Sequence, residues 1–531
     1  MRRAIFMRRA NKKKPLCFFY KVTSMIDVLI LTAPFTYTLG PSMAPALLKS
    51  CVSQQGISAR AWDLSAEFNF ENQSHKYYSE IVAWMQHPEL KVSAEAFDWY
   101  SKLIDSYATK IIEIFPSWLA VSCLTQHSQR FAEDLCYTVR LKSADKIKII
   151  IGGNGIDIIQ FEYGKKWHDL MLDSGLADCV LLGEGDYALI KIIKNNLSGL
   201  VTEPQLSNNM LEQLPVPDYS DYNFDLYPRN NRSYWKTDKT QASGLTLSIT
   251  SSRGCVRDCS FCDVGKIWGR YRFRSGATVA KEIIELYRRH AVTFFSFTDS
   301  LMNGGLKPFY EMNQILASDL PRVINYEGQF IVRSERDMPE RYFKSMYNAG
   351  CANVSIGLES GSESVRNHMG KGSTDQDIAY TTDMLIKYGI EQNWNIIAGY
   401  PTETDQDWQK TIDLIKYWHP RSNGLLKIDP IGTFLMLQNT PMVNTQMYQD
   451  LGINTVNIEG YTEFSWVSKS NTKNTFDVRV NRFIELCELA KSLQMTSEDT
   501  DNLNQKIWLA KTQLEWYKNN NAKKIFSMSQ N

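Results

Sequence analysis

Short apolar runs bounded by turn residues recur through the first two hundred positions of this chain. Ile26-Asp27-Val28-Leu29-Ile30-Leu31 is too short for a core helix and predicts a buried parallel strand. The same reading applies to 58–64, 117–122, 146–151 and 179–182. Helical patterning fills 41–55, and an aromatic-rich helical stretch over 71–115 exceeds a simple crossover, so it reads as an insertion or a pair of helices. Five strands with helical crossovers predict an open, doubly wound parallel sheet over 25–195.

A second alternating series follows. Strands are expected at 245–250, 294–299, 326–333, 353–358, 392–398 and 428–437, with helices at 278–290, 306–316, 339–349, 375–388 and 407–418. Six such units over 244–442 predict a partial (β/α)6 barrel, whose active groups belong at the carboxyl ends of the strands. Residues 196–243 are rich in Pro, Asn, Asp and Tyr and read as a linker. Residues 443–531 are polar and mostly helical, with the clearest helices at 476–493 and 502–517. Residues 1–24 carry eight Lys and Arg and no acid, and read as a disordered basic tail. The fold class is therefore α/β, with a helical C-terminal segment.

Composition narrows the function only by exclusion. A length of 531 residues suggests two to four domains. A net charge of +1 gives no overall field favouring nucleic acid or an anionic membrane. No apolar run reaches the ~18 residues of a membrane span. Outside one group, the ten cysteines are scattered: Cys17, Cys51, Cys123, Cys136, Cys179, Cys351 and Cys487 read as small core hydrophobes, not as a disulfide scaffold or a second cluster. Free thiols point to a reducing cytoplasm.

The remaining three, Cys255, Cys259 and Cys262, are spaced C-x₃-C-x₂-C. Thiolates are the usual ligands of iron–sulfur clusters. Three protein ligands on a [4Fe–4S] cube leave one iron open to bind a small molecule and pass it an electron. A structural zinc ion would want four ligands, yet no second C-x₂-C is present and the nearest following histidine is His290.

With the aromatic Phe261 before the last cysteine, this triplet resembles the signature of radical S-adenosylmethionine (radical SAM) enzymes. The resemblance implies that Cys255, Cys259 and Cys262 hold the cluster and that S-adenosylmethionine, chelated to the open iron, is cleaved to a 5′-deoxyadenosyl radical. It places Thr298 and Asp299 near the methionyl amine and Arg333 on the methionyl carboxylate. Glu359 and Ser360 fall on the ribose or amino-acid part, Gly399 beside adenine, and Phe261 against the cluster or adenine. Glu403 reads as a cap of the next helix, and Arg272 and Arg274 as surface charges.

The order of segments adds a second resemblance. An α/β domain with Gly152-Gly153 and Gly183-Glu184-Gly185 at strand ends, then Leu214-Pro215-Val216-Pro217-Asp218-Tyr219, then the triplet, is similar to the cobalamin-binding branch of that family. It implies cobalamin across the strand ends at Ser122, Gly152, Gly153, Gly183 and Glu184, although glycines also end strands for turn reasons alone. The loop after the first strand has no histidine for a lower axial ligand. His127 follows the third strand and reads as a surface or capping residue. The function implied is C-methylation of an unactivated carbon. The alternatives are cyclisation, oxidation or rearrangement with cobalamin non-methylating or absent, and a degenerate scaffold. A methylthiotransferase would carry three further N-terminal cysteines. Implied partners are a small-molecule or peptide substrate and a reductase, flavodoxin or ferredoxin as electron donor, with no membrane. Nucleic acid is disfavoured. No sequence motif names a catalytic side chain acting on the substrate.

Overall fold

The computed structural model describes residues 26–520 apart from 35–39, 87–89, 158, 161–164, 228–244, 322, 438–439, 444, 456–465 and 497–499. The basic tail at 1–24, Cys17, the tip of the first-strand loop and the later half of the expected linker lie outside the described residues. The rest falls into two compact units: one holds 26–227 with 245–248, the other 249–520.

The first unit is built on six parallel strands: β1 (Val28–Thr32), β2 (Ala59–Trp62), β3 (Trp118–Ser122), β4 (Lys148–Gly152), β5 (Cys179–Leu182) and β6 (Gly199–Thr202). Their order is β2-β1-β3-β4-β5-β6, and every neighbouring pair is parallel. Strand residues alternate between two cores. Leu29, Leu31, Leu119, Val121, Ile149 and Ile151 join one cluster; Val28, Ile30, Trp118, Ala120 and Ile150 join the other. Both faces are covered, which is why the strands read as continuous apolar runs. The aromatic stretch forms a pair of helices, Tyr78–Gln86 and Ala94–Ile114, preceded by helix Leu64–Asn72, and His75 stacks on Trp99 at 4.2 Å between ring centroids.

Strand β6 corrects the expectation of five strands. It lies in the stretch read as linker, and its residues alternate between half-buried and exposed at the sheet edge, so no buried apolar run announces it.

The second sheet also has six strands: β7 (Thr246–Ile249), β8 (Phe294–Phe297), β9 (Asn325–Phe330), β10 (Cys351–Glu359), β11 (Glu391–Ala398) and β12 (Leu426–Thr433). They lie in chain order across the sheet, the arrangement of a partial barrel. Helices Gly276–His290, Leu306–Asp319, Arg341–Ala349, Asp375–Lys387 and Asp405–Trp418 alternate with the strands. A short antiparallel hairpin (Ile453–Thr455 with Trp466–Ser468) precedes helices Phe476–Ser492 and Thr500–Asn520. Cys51, Cys123, Cys136, Cys179, Cys351 and Cys487 are all buried, as small core residues should be.

Candidate active site

The cysteine loop leaves the carboxyl end of β7 and is pinned from several sides. Ser252–Arg253 pairs antiparallel with Arg272–Phe273, which closes the loop at its base. Gly254 has φ +82°, and a Cβ there would lie 2.8 Å from the carbonyl oxygen of Arg270, so only glycine fits without strain. Ser260 donates its amide to Met369 O at 2.9 Å, and its carbonyl accepts from the Met442 amide at 2.7 Å. Its hydroxyl lies 3.0 Å from Tyr400 Oη, which in turn lies 3.0 Å from His368 Nδ1. That chain ties the cysteine loop to the turn after β11.

Arg272 and Arg274 are buried, which corrects the reading of both as surface charges. Arg274 pairs with the buried Glu282 at 2.6 Å and donates to Thr250 O at 3.0 Å. Arg272 donates to Trp268 O at 2.7 Å. Both guanidiniums serve the loop's own carbonyls or a partner acid, as buried charge requires.

Cys259 is buried, while Cys255 and Cys262 are half-buried. Burial pushes the Cys259 thiol up to about 11. Lys371 pulls it down, and Cys262, Cys255 and Glu359 push it further up. Burial likewise raises Cys262. The three sulfurs thus share one electrostatic neighbourhood. Among the described residues, no three His, Cys, Asp or Glu side chains stand close enough to share one metal ion. A zinc ion would need such convergence, whereas on a cube each thiolate takes a different iron.

Asp299 follows β8 and is buried. It accepts from the Ser251 amide at 3.1 Å, the Ser251 hydroxyl at 3.1 Å, the Ser252 hydroxyl at 2.6 Å and the Ser252 amide. Its carboxylate is thereby engaged in anchoring the start of the cysteine loop. Burial raises its pKa to about 6, against the pull of those donors. Thr298 lies beside it, its hydroxyl 2.8 Å from that of Thr250.

Arg333 lies just beyond β9 and is half-buried. One terminal nitrogen donates to Gly304 O at 3.0 Å and Asn303 O at 3.3 Å. Its Nε is buried without a hydrogen-bond partner, as is Nε of Arg257 in the cysteine loop. Burial lowers the Arg333 pKa, and the Arg257 guanidinium lowers it further. Two neighbouring cations with unfilled donors are suited to an anion such as a carboxylate. Sequence reasoning had singled out Arg333 but not Arg257.

Glu359 ends β10 in the left-handed region, φ +65°, an uncommon conformation for a side chain other than glycine. Ser360 N bonds back to Leu358 O at 2.8 Å. Glu359 Oε1 pairs with Lys371 Nζ at 2.7 Å, and Lys371 also donates to Gly357 O at 2.8 Å. A Cβ on Gly357 would fall 2.6 Å from Glu359 Oε1 and 2.7 Å from Lys371 Nζ, so its absence makes room for the pair. Lys371 is the clearest residue that sequence reasoning missed. Burial lowers its pKa, but Glu359 and the thiols of Cys259 and Cys262 raise it more. It also lies 5.7 Å from the centre of the Phe261 ring. Phe261 packs edge-on against Phe434. Ser360 is fully buried, and its hydroxyl accepts from the Ser362 amide at 3.2 Å.

Gly399 has φ +85°, and a Cβ there would lie 2.2 Å from Arg479 Cγ. Its amide donates to Glu403 Oε2 at 2.7 Å. Glu403 is buried and pairs with Arg482 at 3.1 Å, which corrects its reading as a helix cap. Thr404 performs that job, in a reciprocal capping box with Asp407.

In the first unit, Ser122, Gly152 and Gly183 come together by register at the carboxyl end of the sheet. Gly153 has φ +100° and a Cβ there would meet Cys123 O at 2.4 Å, so that glycine serves the turn itself. Glu184 is buried and accepts from the Leu206 amide at 2.7 Å. His127 lies in a short 3₁₀ turn, Gln126–Ser128, after β3.

Residues 249–415 match the model of the radical SAM superfamily. The chain carries a radical SAM domain over these residues. It is 28% identical over 212 residues to an uncharacterized methyltransferase of Pyrococcus horikoshii, covering 39% of this chain and 42% of that protein. It is 23% identical over 280 residues to the anaerobic magnesium-protoporphyrin IX monomethyl ester cyclase of Synechocystis, covering 50% and 54%. The similarity therefore spans about half the length of these relatives. In fold, the chain is like the methyltransferase TsrM from Kitasatospora setae, solved with cobalamin and a [4Fe–4S] cluster (TM-score 0.57, 14% identity, 86% of this chain and 82% of that one). It is also like the cobalamin-dependent enzyme OxsB, solved with aqua-cobalamin (TM-score 0.59, 14% identity, 87% and 66%). The likeness to both structures is one of fold. No helix among the described residues is long and apolar enough to cross a membrane.

Proposed function

We propose that this chain is a cobalamin-dependent methyltransferase that acts by radical chemistry on an unactivated carbon. The observation that carries the radical half is the grouping of the three thiols, the Glu359–Lys371 pair and two guanidiniums with unfilled Nε donors at the carboxyl ends of β7 to β10. The donor set fits a [4Fe–4S] cube on Cys255, Cys259 and Cys262. When bound, the cluster and S-adenosylmethionine supply a hydrogen-abstracting radical, and cobalamin supplies a transferable methyl group. Arg333 and Arg257 bind the methionyl carboxylate, and Glu359 faces the ammonium or ribose. Lys371 neutralises Glu359 and the nearby thiolates. Asp299 and Arg274 hold the loop in place, and Gly399 lets the turn after β11 pass close to Arg479.

The cobalamin half is supported by the first unit's topology. Its order places a switch point between β1 and β3, where open α/β sheets take their ligands. Ser122 and Gly152 lie at that end in adjacent register. The loop at 32–40 contains no histidine that would supply a nitrogen ligand to a bound cobalamin. The likeness to the Synechocystis cyclase favours, as the second reading, a radical reaction that transfers no methyl group. A product heavier than its substrate by one CH2 separates the two.

Anaerobic reconstitution tests the assignment of the cluster ligands. The protein should take up about four irons per chain, and Cys259→Ala should abolish both the cluster absorbance and cleavage of S-adenosylmethionine. A full cluster retained in that variant refutes the ligand set.

A further inference from the structure

The second sheet has one apolar face and one polar face, and the polar face is ordered in levels. Val354, Ile356, Leu358, Trp394, Ile396 and Ile428 are buried. Gln392 reaches Thr382 O in helix Asp375–Lys387, and Tyr326 Oη lies 2.5 Å from Asn313 Oδ1 in helix Leu306–Asp319, so this face meets the helices. Strand alternation turns the intervening residues to the barrel interior. Parallel pairing aligns them across the strands. Ser296, Glu327, Asn353 and Glu391 form one level. Gln329, Ser355, Asn393 and Lys427 form the next. Gly357, Asn395 and Asp429 form a third, just before Glu359.

Two atoms on this wall stand out. Asn353 Oδ1 and Asn393 Oδ1 are buried and have no hydrogen-bond partner. A buried polar atom without a partner costs about 1–3 kcal/mol, and native proteins fill nearly all such positions. Both atoms are acceptors. The wall also carries the carboxylates of Glu327, Glu391 and Asp429 and the ammonium of Lys427, with Lys506 of the C-terminal helix 3.7 Å from Asp429. Acceptors and negative charge call for a ligand that donates N–H bonds and carries positive charge.

We infer that the barrel interior binds an amine-bearing substrate, the ammonium lying against Asn393, Asn353 and Glu391. This rests on the radical reading above, in which the barrel is the reaction chamber. Asn393 is level with Ser355, four residues before Glu359, so the ammonium lies about 13 Å down the strand from the S-adenosylmethionine corner. The reacting carbon is therefore several bonds from the nitrogen. A free amine and an amine-bearing side chain of a peptide share this chemistry.

The test uses the anaerobically reconstituted full chain and ligand-observed magnetic resonance. The probes are 1,5-diaminopentane, 1,5-pentanediol and glutarate, which match in length and differ in end groups. N-acetyl-lysine amide stands for the peptide source, and a preference between it and the diamine names the source. The diamine should bind about tenfold or more tighter than the diol, and glutarate weakest of the three. Asn393→Leu should weaken the diamine about tenfold or more, the loss of a charge-assisted hydrogen bond. Asn393→Asp should tighten it, an effect of opposite sign that misfolding would not give. Equal binding of the three probes, or diamine affinity unchanged in both variants, overturns the inference. Iron content and S-adenosylmethionine affinity are measured on the same samples. If the unmodified protein takes up no iron, the radical reading fails while the comparison of probes still decides this one.

Discussion

Removing the ammonium of Lys371 should loosen the end of β10 by an amount that can be worked from the structure. Lys371→Met leaves Glu359 in place, mostly buried, without its partner at 2.7 Å. The gross attraction over that distance is about 6 kcal/mol at an effective dielectric of 20. Desolvation cancels much of it, and breaking one side of a buried pair costs about 3–5 kcal/mol. Side-chain exposures of 18% for Lys371 and 10% for Glu359 place the expected cost near the lower end, about 3 kcal/mol. Unfolding of a two-unit chain is not expected to be two-state, so local opening is the proper observable. Hydrogen exchange read by mass spectrometry on the iron-free protein should show residues 355–372 opening about a hundredfold more readily in Lys371→Met. Glu359→Gln should behave similarly, because it leaves the ammonium buried. The double variant should recover most of the loss, since no uncompensated charge then remains. Exchange within about threefold of the unmodified protein in both single variants, or fully additive costs in the double variant, refutes the coupling.

Two further expectations concern the neighbouring groups. Arg257→Gln and Arg333→Gln should each keep the iron but weaken S-adenosylmethionine by about tenfold or more, and the two losses should be less than additive if both guanidiniums serve one carboxylate; titration calorimetry with unchanged affinity removes the residue concerned from the site. Asp299 is held protonated to about pH 6 by burial, so the folded state binds its proton more tightly than the unfolded chain does. Its contribution to stability is therefore full below about pH 4 and is lost as pH rises through about 6, by about 3 kcal/mol at most. The difference in melting temperature between the unmodified protein and Asp299→Asn should shift against the unmodified protein over that window, and a difference independent of pH refutes it.

Much of the architecture is written in local pattern, and the exceptions share a cause. Strand Cys179–Leu182 is apolar on both faces because helices cover both, and the same burial makes it visible as a run. Gly199–Thr202 is half-exposed at the edge and carries no such run, so it merges with the polar stretch that follows. The roles of Glu403, Arg272 and Arg274 depend on tertiary partners. Glu403 finds Arg482 seventy-nine residues on, and Arg274 finds Glu282 only because the hairpin at 252–273 turns it inward. Lys371 belongs to the same class. Nothing in its sequence neighbourhood marks it, and its meaning appears only once the loop returns it to Glu359. The polar levels of the barrel were present in the sequence as alternation, in Asn353 and Ser355, Asn393 and Asn395, Lys427 and Asp429. Parallel register is what turns these separate alternations into one surface.

The backbone at Glu359 explains why this corner needs so much support. A left-handed residue other than glycine costs of order 1–2 kcal/mol, and the conformation persists only where its surroundings overdetermine it. Arg366 supplies one restraint: fully buried, it donates to Ser360 O at 2.9 Å and Ser373 O at 3.2 Å and pairs with Asp375. Gly361 supplies another, because its amide bonds to Thr411 Oγ1 at 2.8 Å and a Cβ would strike the Thr411 backbone. The Lys371 ammonium supplies the third. Arg366 and Lys371 come from the segment that follows the turn and Thr411 from helix Asp405–Trp418, so the strained turn is held both by its own return and by the next helix of the barrel. A glycine at 359 would remove the strain but also the carboxylate. That the chain keeps a carboxylate in a costly conformation, faced by a buried cation next to the cysteine thiols, is the strongest physical reason to assign Glu359 to ligand binding and not to the turn alone.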